Sequence, residues 1–372
     1  MGPTMWAMVR KEMRQMRRDH RTLAMMVVMP IMLLVVFGYA ARFDVSEIRV
    51  APMDAAASGP AAALPTPFAV VDATNDDPVE VLRRGDADVA IAVVDGQPTA
   101  FIDGANLFTA QAALQALGGA ATSGAAPPVA VEVLFNPDLA TSAVLVPGLG
   151  GLILLFIGSL ITSLGVVRER QAGTLEQLAV MPLAARDVFV GKVAPYFLVA
   201  SIDLVVVLAI GVWLFDVPFV GNPAWLAVGS VLFLFVTLGI GVVISTVSDN
   251  QGQAIQLALM TLLPQVLLSG LIFPLSSMAA GVRWIGYLLP LTYFNMVARG
   301  VMLKDAPLST LALPLGVLAA MGLVVSGLAV WRFNAELRPA GPATSAADDR
   351  DETGRGRQAP GTPDTAATGA RP

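Results

Sequence analysis

Long apolar runs separated by short polar stretches are the dominant pattern of this chain. Six runs are each long enough to cross the hydrocarbon core of a bilayer, about 30 Å thick, as a helix. A helix is the expected backbone there, because it satisfies its own N–H and C=O groups in lipid. The pattern therefore predicts a mainly α membrane protein with six transmembrane helices, at residues 22–42, 144–167, 188–215, 224–247, 254–273 and 310–331.

Between the first two apolar runs, residues 43–143 follow a different pattern. Short segments rich in Val, Ile and Phe, bounded by Asp, Gly or Pro, predict strands, and two segments between them look helical. The strands are expected at 68–71, 89–94, 99–102 and 129–135, and the helices at 77–85 and 107–117. This alternation predicts an α/β or α+β domain inserted between the first and second transmembrane helices. Its aspartates fit no EF-hand spacing, so we predict no metal site.

The distribution of positive charge predicts the orientation of the chain. Basic side chains cluster in residues 1–21 and in the 168–192 segment, whereas the short loop at 218–223 has none. By the positive-inside rule, both termini and the 168–192 segment are cytoplasmic, and the 43–143 domain is extracytoplasmic. Residues 1–21 also carry apolar side chains at helical spacing, which favours an amphipathic interface helix contacting membrane lipids over a simple charge cluster.

Composition excludes several classes of function. Hydrophobic residues make up 55% of the chain and charged residues only 14%, against about 25% charged in soluble domains. There is no cysteine and one histidine, His20, so no Cys/His or Ser/His/Asp catalytic set is available. Gly191-Lys192 lacks the upstream glycine of a phosphate-binding loop. We therefore predict no catalytic residue, no bound cofactor and no nucleic-acid partner.

The tail at 332–372 lacks large apolar residues beyond Arg338 and is predicted to be disordered in the cytoplasm.

One carboxylate lies inside a predicted membrane helix. Asp203 is near the middle of the third apolar run, where a charge costs roughly 2.5–3.5 kcal/mol even on a lenient scale. It must therefore face protein or water. Two interpretations remain open, a group that contacts substrate or accepts a proton, and a structural contact paired across helices.

The apolar segment 274–303 is interrupted by prolines and glycines. It is too broken for one spanning helix and too apolar for a free loop, which predicts a re-entrant hairpin dipping from the outer face. Such a hairpin suits an outer gate, although an interfacial cap without a gating role is the alternative. The gate candidates are Pro274, Pro290, Tyr293, Asn295 and Arg299, and Tyr293 also suits the aromatic belt of the interface.

The polar segment 168–192 carries the pattern of a short capped helix. Charged residues end the preceding span, a glycine and a threonine follow, and a carboxylate and an amide then occupy the first helical turn. These residues are Arg168, Glu169, Gly173, Thr174, Glu176 and Gln177. A helix this short adds little to a bundle core, so its exposed face is available to another protein. A solvated connecting loop is the other interpretation.

Several motifs of the chain resemble those of ABC-2 type transporter permeases. The sequence RERQAGTLEQL is similar to the coupling segment of that family. FNPDLATSAVLVPGLGGLIL is similar to the entry into its second span, and LSGLIFPLSSM followed by YLLPLTYFNMVARGVMLK is similar to the region between its last two spans. The N-terminal RKEMRQMRRDHRTLAMMVVMPIMLLVVFGYA resembles its opening helix and first span.

This resemblance implies a permease subunit of an ATP-driven exporter in the bacterial inner membrane. It implies cytoplasmic ABC ATPase subunits that bind ATP and Mg, a second permease copy or homologue, and coupling through the six residues of the 168–177 stretch named above. A periplasmic adaptor is a further partner that the external domain would accommodate. The expected substrate is hydrophobic or amphipathic, such as a drug or a lipid.

Two other functions remain alternatives from the residues alone. An ion-coupled secondary transporter would use Asp203 as its coupling group, although no inverted repeat of span lengths is visible. A membrane-anchored receptor or assembly factor would use the external domain, but a mere anchor has no need of the broken hairpin.

Overall fold

The computed structural model describes residues 47–72, 77–125, 129–173 and 185–337, with Val45 and a few isolated earlier positions. The predicted interface helix at 1–21 and the first span at 22–42 lie largely outside these residues, as do 338–372. Side chains are not described at 185–190, 192–193, 276, 280 and 333–337.

A five-stranded sheet with three helices precedes the helical bundle, and we refer to it as the sheet domain. Its elements are β1 (Ile48–Pro52), α1 (Ala55–Ala62), β2 (Phe68–Val70), α2 (Pro78–Arg84), β3 (Val89–Val94), β4 (Gln97–Asp103), α3 (Leu107–Ser123) and β5 (Ala130–Leu134). The strand order is β2-β1-β3-β4-β5. Only β3 and β4 pair antiparallel; the other neighbours are parallel.

The antiparallel pair is closed by a two-residue turn. Asp95 and Gly96 have φ angles of 52° and 77°, the left-handed values that a tight hairpin turn requires and that Asp-Gly tolerates well. All four predicted strands are present with small shifts of their ends, whereas β1 and α1 are additional elements.

Strand β1 lies in the interior of the sheet and is fixed by an ion pair between the partly exposed Arg49 and the buried Asp88. Ile48 and Val50 are fully buried. Between them, Arg49 donates from Nη2 to Asp88 Oδ1 at 3.0 Å and from Nε to Asp88 Oδ2 at 3.1 Å. Burial by itself lowers the pKa of the Arg49 guanidinium, but the hydrogen bond and the charge of Asp88 outweigh burial and raise that pKa.

Among the residues that the structure describes, seven helices form the bundle that follows. They are α4 (Thr141–Gln171), α5 (Ala185–Leu214), α6 (Pro223–Val247), α7 (Gln251–Leu268), α8 (Ala280–Gly286), α9 (Pro290–Lys304) and α10 (Leu308–Leu337), with a 3-10 turn at Leu275–Ser277. Helix α6 is central and packs against α4, α9 and α10. At its middle, the Phe233 ring stacks on the Phe294 ring of α9 with centroids 4.7 Å apart.

Helix α4 contains a π turn where it packs closely against α6. The turn covers Phe156–Ile161. A π turn holds one residue more than an α-helical turn, because its hydrogen bonds span five positions instead of four. A Cβ at Gly158 would overlap the Thr237 side chain, and one at Gly241 would lie 2.5 Å from the Gly158 carbonyl oxygen. Glycine at both positions therefore allows the two backbones to come into contact.

Four helices in the described part of the chain are long and apolar enough to cross a membrane: Thr141–Gln171, Ala194–Leu214, Pro223–Val247 and Leu308–Arg332. They correspond to the predicted second, third, fourth and sixth spans. The prediction for the fifth span was wrong in extent, because α7 has 18 residues and is about 27 Å long. Its end is set by Gly270 at φ 80°. The start of the predicted tail was also wrong, since α10 continues to Leu337.

Candidate functional site

The predicted coupling segment begins at the C-terminal end of α4. Arg168 is exposed and Glu169 is half-buried. Gly173 follows the helix with φ 73°, a left-handed value that favours glycine and ends the helix there. Thr174, Glu176 and Gln177 lie outside the described residues. The structure thus describes three of the six predicted coupling residues. We call this end of α4, from Arg168 to Gly173, the rim of the bundle.

Arg170, which sequence reasoning did not select, anchors this end of α4. Its Nη1 donates to the carbonyl oxygens of Ser245 and Ser248, both at 2.9 Å. These carbonyls end α6, where helical C=O groups lack intrahelical donors and attract a cation. The contact fixes the start of the coupling segment to the central helix.

The turn between α6 and α7 lies beside the same rim. Asn250 caps α7 by accepting from Gln253 N at 3.0 Å, and Gln253 Oε1 accepts from Asp249 N at 2.9 Å. Gln251 Nε2 also donates to Gln171 Oε1 of α4 at 2.9 Å. Movement of the segment after Gln171 would therefore reach α4, α6 and α7 together.

The predicted hairpin forms two helices, α8 and α9, joined by hydrogen bonds. Pro274 precedes the 3-10 turn, and Pro290 is the first residue of α9, where its missing N–H costs nothing. Thr292 Oγ1 donates to the Gly286 carbonyl at 2.6 Å. Tyr293 is buried, and its hydroxyl donates to the Tyr287 carbonyl at 2.7 Å. The ring of Tyr293 thus packs against the core of the bundle, and its place in the aromatic belt of the interface stays a prediction.

Asn295 and Arg299 lie one turn apart on the same face of α9. Asn295 Nδ2 donates to Ser269 Oγ at 3.5 Å, and Arg299 Nη2 donates to the carbonyls of Gly270 and Leu271, both at 3.2 Å. Asn295 Oδ1 and Arg299 Nε are buried without a hydrogen-bond partner among the described residues. Unpaired polar groups of this kind are costly unless water or a ligand satisfies them.

Asp203 lies on α5, away from both of these regions. Its side chain is half-buried, and α5 is a peripheral helix with only 17% of its apolar window buried, against 61% for α6. No residue that the structure describes donates a hydrogen bond to this carboxylate, and both interpretations of Asp203 stay predictions.

The sheet domain meets the end of α9 at a cluster that sequence reasoning missed, and we call it the joint. Its members are Leu82, Arg83, Asp103, Phe135 and Lys304. Lys304 Nζ lies 2.6 Å from Asp103 Oδ2 and 2.9 Å from the Leu82 carbonyl oxygen. Lys304 and Asp103 are 201 positions apart in the sequence, so no local pattern could indicate their contact.

Residues 20–331 match the family described as ABC-2 family transporter protein. The chain is 28% identical over 334 residues to the probable multidrug ABC transporter permease YbhR of Escherichia coli, covering 82% of this chain and 91% of that protein. It is 30% identical over 337 residues to the probable multidrug ABC transporter permease YbhS of the same organism, covering 80% and 89%.

A shorter similarity extends to a further membrane protein. The inner membrane transport permease YhhJ of Escherichia coli is 29% identical over 180 residues, which is 46% of each chain. No solved structure matches the chain.

Proposed function

The chain belongs to the ABC-2 transporter family, and on that basis we propose that it exports amphipathic drug-like or lipid-like molecules outward across the bacterial inner membrane. It is a multi-pass membrane permease subunit of an ABC exporter, and it works with ABC ATPase subunits. The observation that carries the substrate proposal is the similarity over most of the chain to two relatives named multidrug permeases.

We further propose the arrangement of the chain in the membrane. Six transmembrane helices would comprise the four described ones, α7 (Gln251–Leu268) and the first apolar run at 22–42. The charge distribution supports cytoplasmic termini and an extracytoplasmic sheet domain. A second permease copy would complete the pathway, and a periplasmic adaptor would contact the sheet domain.

The rim at the end of α4 is the proposed contact with the ATPase. Arg168, Glu169 and Gly173, followed by Thr174, Glu176 and Gln177, would receive the movement of the nucleotide-binding subunits, which themselves hold ATP and Mg. The bonds from Arg170 to the end of α6 and from Gln251 to Gln171 support this role, because they connect this end of α4 to α6 and α7.

The hairpin is the proposed outer gate of the pathway. Its support is the buried polar face of α9, where Asn295 Oδ1 and Arg299 Nε lack partners among the described residues. A pathway for amphipathic molecules requires polar groups inside an otherwise apolar bundle. Pro274 begins the hairpin, Pro290 begins its second helix, and Tyr293 holds α8 to α9.

Transport by purified components tests the proposal. The chain, co-purified with its ATPase and permease partners, is reconstituted in vesicles with ethidium as an aromatic cation or a fluorescent phosphatidylethanolamine as a lipid. We expect ATP-dependent movement of one probe, and none with an ATPase variant that lacks the phosphate-binding lysine.

The same vesicles distinguish the ion-coupled alternative. With ATP present and the proton gradient collapsed, an ABC exporter retains transport. Probe movement that follows the gradient and ignores ATP would contradict the proposal.

A further inference from the structure

Lys304 is the last residue of α9, and its side chain is enclosed by the sheet domain. The side chain of Lys304 is 10% exposed and that of Asp103 is 1% exposed. The ammonium group bonds Asp103 Oδ2 and the Leu82 carbonyl, and it lies 5.2 Å from the centre of the Phe135 ring. Three groups from α2, β4 and the end of β5 therefore surround one cation, which an ammonium with three donors suits well.

The sheet domain also donates a hydrogen bond to α9, whereas Lys304 of α9 donates to the sheet domain. Arg83 Nε donates to the Lys304 carbonyl oxygen at 2.8 Å, while Arg83 Nη1 bonds Glu80 Oε2 at 3.1 Å. The last carbonyls of a helix lack intrahelical donors, so Arg83 acts as a cap for α9 supplied by the sheet domain.

The loop between α5 and α6 holds the same helix end from the other side. Val220 N donates to the Met302 carbonyl at 3.1 Å, and Gly221 N donates to the Val301 carbonyl at 3.0 Å. Three of the last four carbonyls of α9 are thus bonded by other elements. The end of α9 is fixed by directional bonds rather than by apolar contact alone.

Asp103 is itself rigidly placed. Its Oδ1 accepts from Ala105 N at 3.1 Å and its Oδ2 accepts from Asn106 Nδ2 at 3.0 Å, at the turn that follows β4. Because the partner of Lys304 cannot swing away, a shift of the sheet must displace the end of α9.

We propose that Lys304 is a positioning residue that joins the sheet domain and helices α8 and α9 into one moving body. Displacement of the sheet domain, by a partner on its surface or by the transport cycle, then moves the hairpin. The consequence for export rests on the gate role proposed above, whereas the rigid connection is independent of it.

Distances between spin labels test the connection. Ser58→Cys and Leu288→Cys place labels at exposed positions of the sheet domain and of the α8–α9 turn in a chain that has no natural cysteine. The doubly labelled chain, diluted with unlabelled chain and assembled with its ATPase in nanodiscs, should give one narrow distance distribution. Lys304→Met should broaden that distribution, and Lys304→Arg should keep it narrow.

Neighbouring arginines provide a matched control. Arg83 and Arg84 both pair with Glu80, at 3.1 Å and 2.8 Å, but the described contact with Lys304 belongs to Arg83. Arg83→Met should broaden the distribution, whereas Arg84→Met should leave it as in the parent. The comparison of Arg83→Met with Arg84→Met also tests the connection if Lys304→Met does not fold.

The outcomes separate the two proposals. A narrow distribution in both Lys304→Met and Arg83→Met would overturn the joint as a rigid connection. A broadened distribution with a lower maximal export rate in Lys304→Met, restored in Lys304→Arg, supports both proposals. A broadened distribution with parental export supports the connection and contradicts the gate role of the hairpin.

Discussion

Single charged residues at the rim have different tasks although they are close in sequence. Arg168 is exposed, whereas Arg170 bonds two carbonyls at the end of α6. The same side-chain type thus serves in one position as an available contact and in the other as an internal anchor. Substitution of each by a neutral side chain should affect different properties.

We expect Arg170→Gln to lower the stability of the chain and Arg168→Gln to leave it unchanged. Hydrogen bonds from a charged donor contribute about 1.5–3 kcal/mol, and their loss should appear as a lower midpoint of thermal unfolding in detergent. Arg168→Gln should instead reduce ATPase-coupled export at parental stability. Equal unfolding midpoints for both variants would contradict the anchoring role of Arg170.

Asp203 gives a second prediction at this scale. Asp203→Asn keeps size and hydrogen bonding but cannot ionise, and the described residues offer the carboxylate no partner that would be lost. An ATP-driven exporter should therefore retain most of its transport, measured in inverted vesicles with ATP. Loss of uphill transport, with parental levels of inserted protein, would favour ion coupling through this residue.

Elements such as α4 show how close packing and backbone form depend on each other. The π turn at Phe156–Ile161 brings Gly158 against Thr237, and Gly241 meets the Gly158 carbonyl from the opposite helix. Ser159 Oγ donates to the Leu155 carbonyl at 2.6 Å inside the turn. Small side chains and an internal hydroxyl bond together permit an irregular turn inside an apolar bundle.

Gly158→Ala should therefore separate α4 from α6. Forcing a methyl group into a packed core usually costs about 1–3 kcal/mol, so the unfolding midpoint should fall. The control is Gly316→Ala in α10, where an added Cβ meets no atom within 4 Å and alanine is the better helix former. A fall of the same size in both variants would show that the contact between α4 and α6 is not the cause.

The sequence pattern was informative for elements whose signal is local and uninformative for those that depend on distant partners. Apolar runs predicted α4, α5, α6 and α10, since burial in lipid needs only length and composition. Strand β1 was missed because its five residues form an interior strand only between β2 and β3. The predicted fifth span ended too late in the sequence, because the apolar run continues past Gly270 although the helix has already ended there.

The same difference between local and distant signals applies to the candidate site. Prolines and glycines marked the hairpin, because they break helices wherever they occur. The Lys304–Asp103 and Arg170–Ser245 contacts join residues 201 and 75 positions apart. Such pairs arise from the packing of whole elements and leave no mark in a local pattern.

At the scale of the whole molecule, the residues that the structure describes form two ends with different connections. One end carries the rim, where α4, α6 and α7 are bonded together, and the other carries the joint, where the sheet domain holds α9. Helix α4 connects the two, since it begins near the sheet domain at Thr141 and ends at the rim with Gln171. In the proposed orientation, these ends lie on opposite sides of the membrane.

Cysteine labelling tests that orientation. Ser58, Thr122 and Ala172 are all exposed in the structure, so burial within the protein does not limit their reaction. Ser58→Cys and Thr122→Cys should react with an impermeant maleimide on intact cells, whereas Ala172→Cys should react only after lysis. The reverse pattern would place the rim outside and remove it from the ATPase.

Helix α5 exposes most of its surface, with Trp213 85% exposed near its end. This described part of α5 leads to the loop that bonds the end of α9, and in the proposed membrane arrangement we expect acyl chains of the bilayer to contact its exposed side chains. A helix in that situation adjusts its tilt to the thickness of the surrounding hydrocarbon. The length of the lipid chains thus becomes a variable of the transport cycle, and a membrane of altered thickness should change the export rate without any change of sequence.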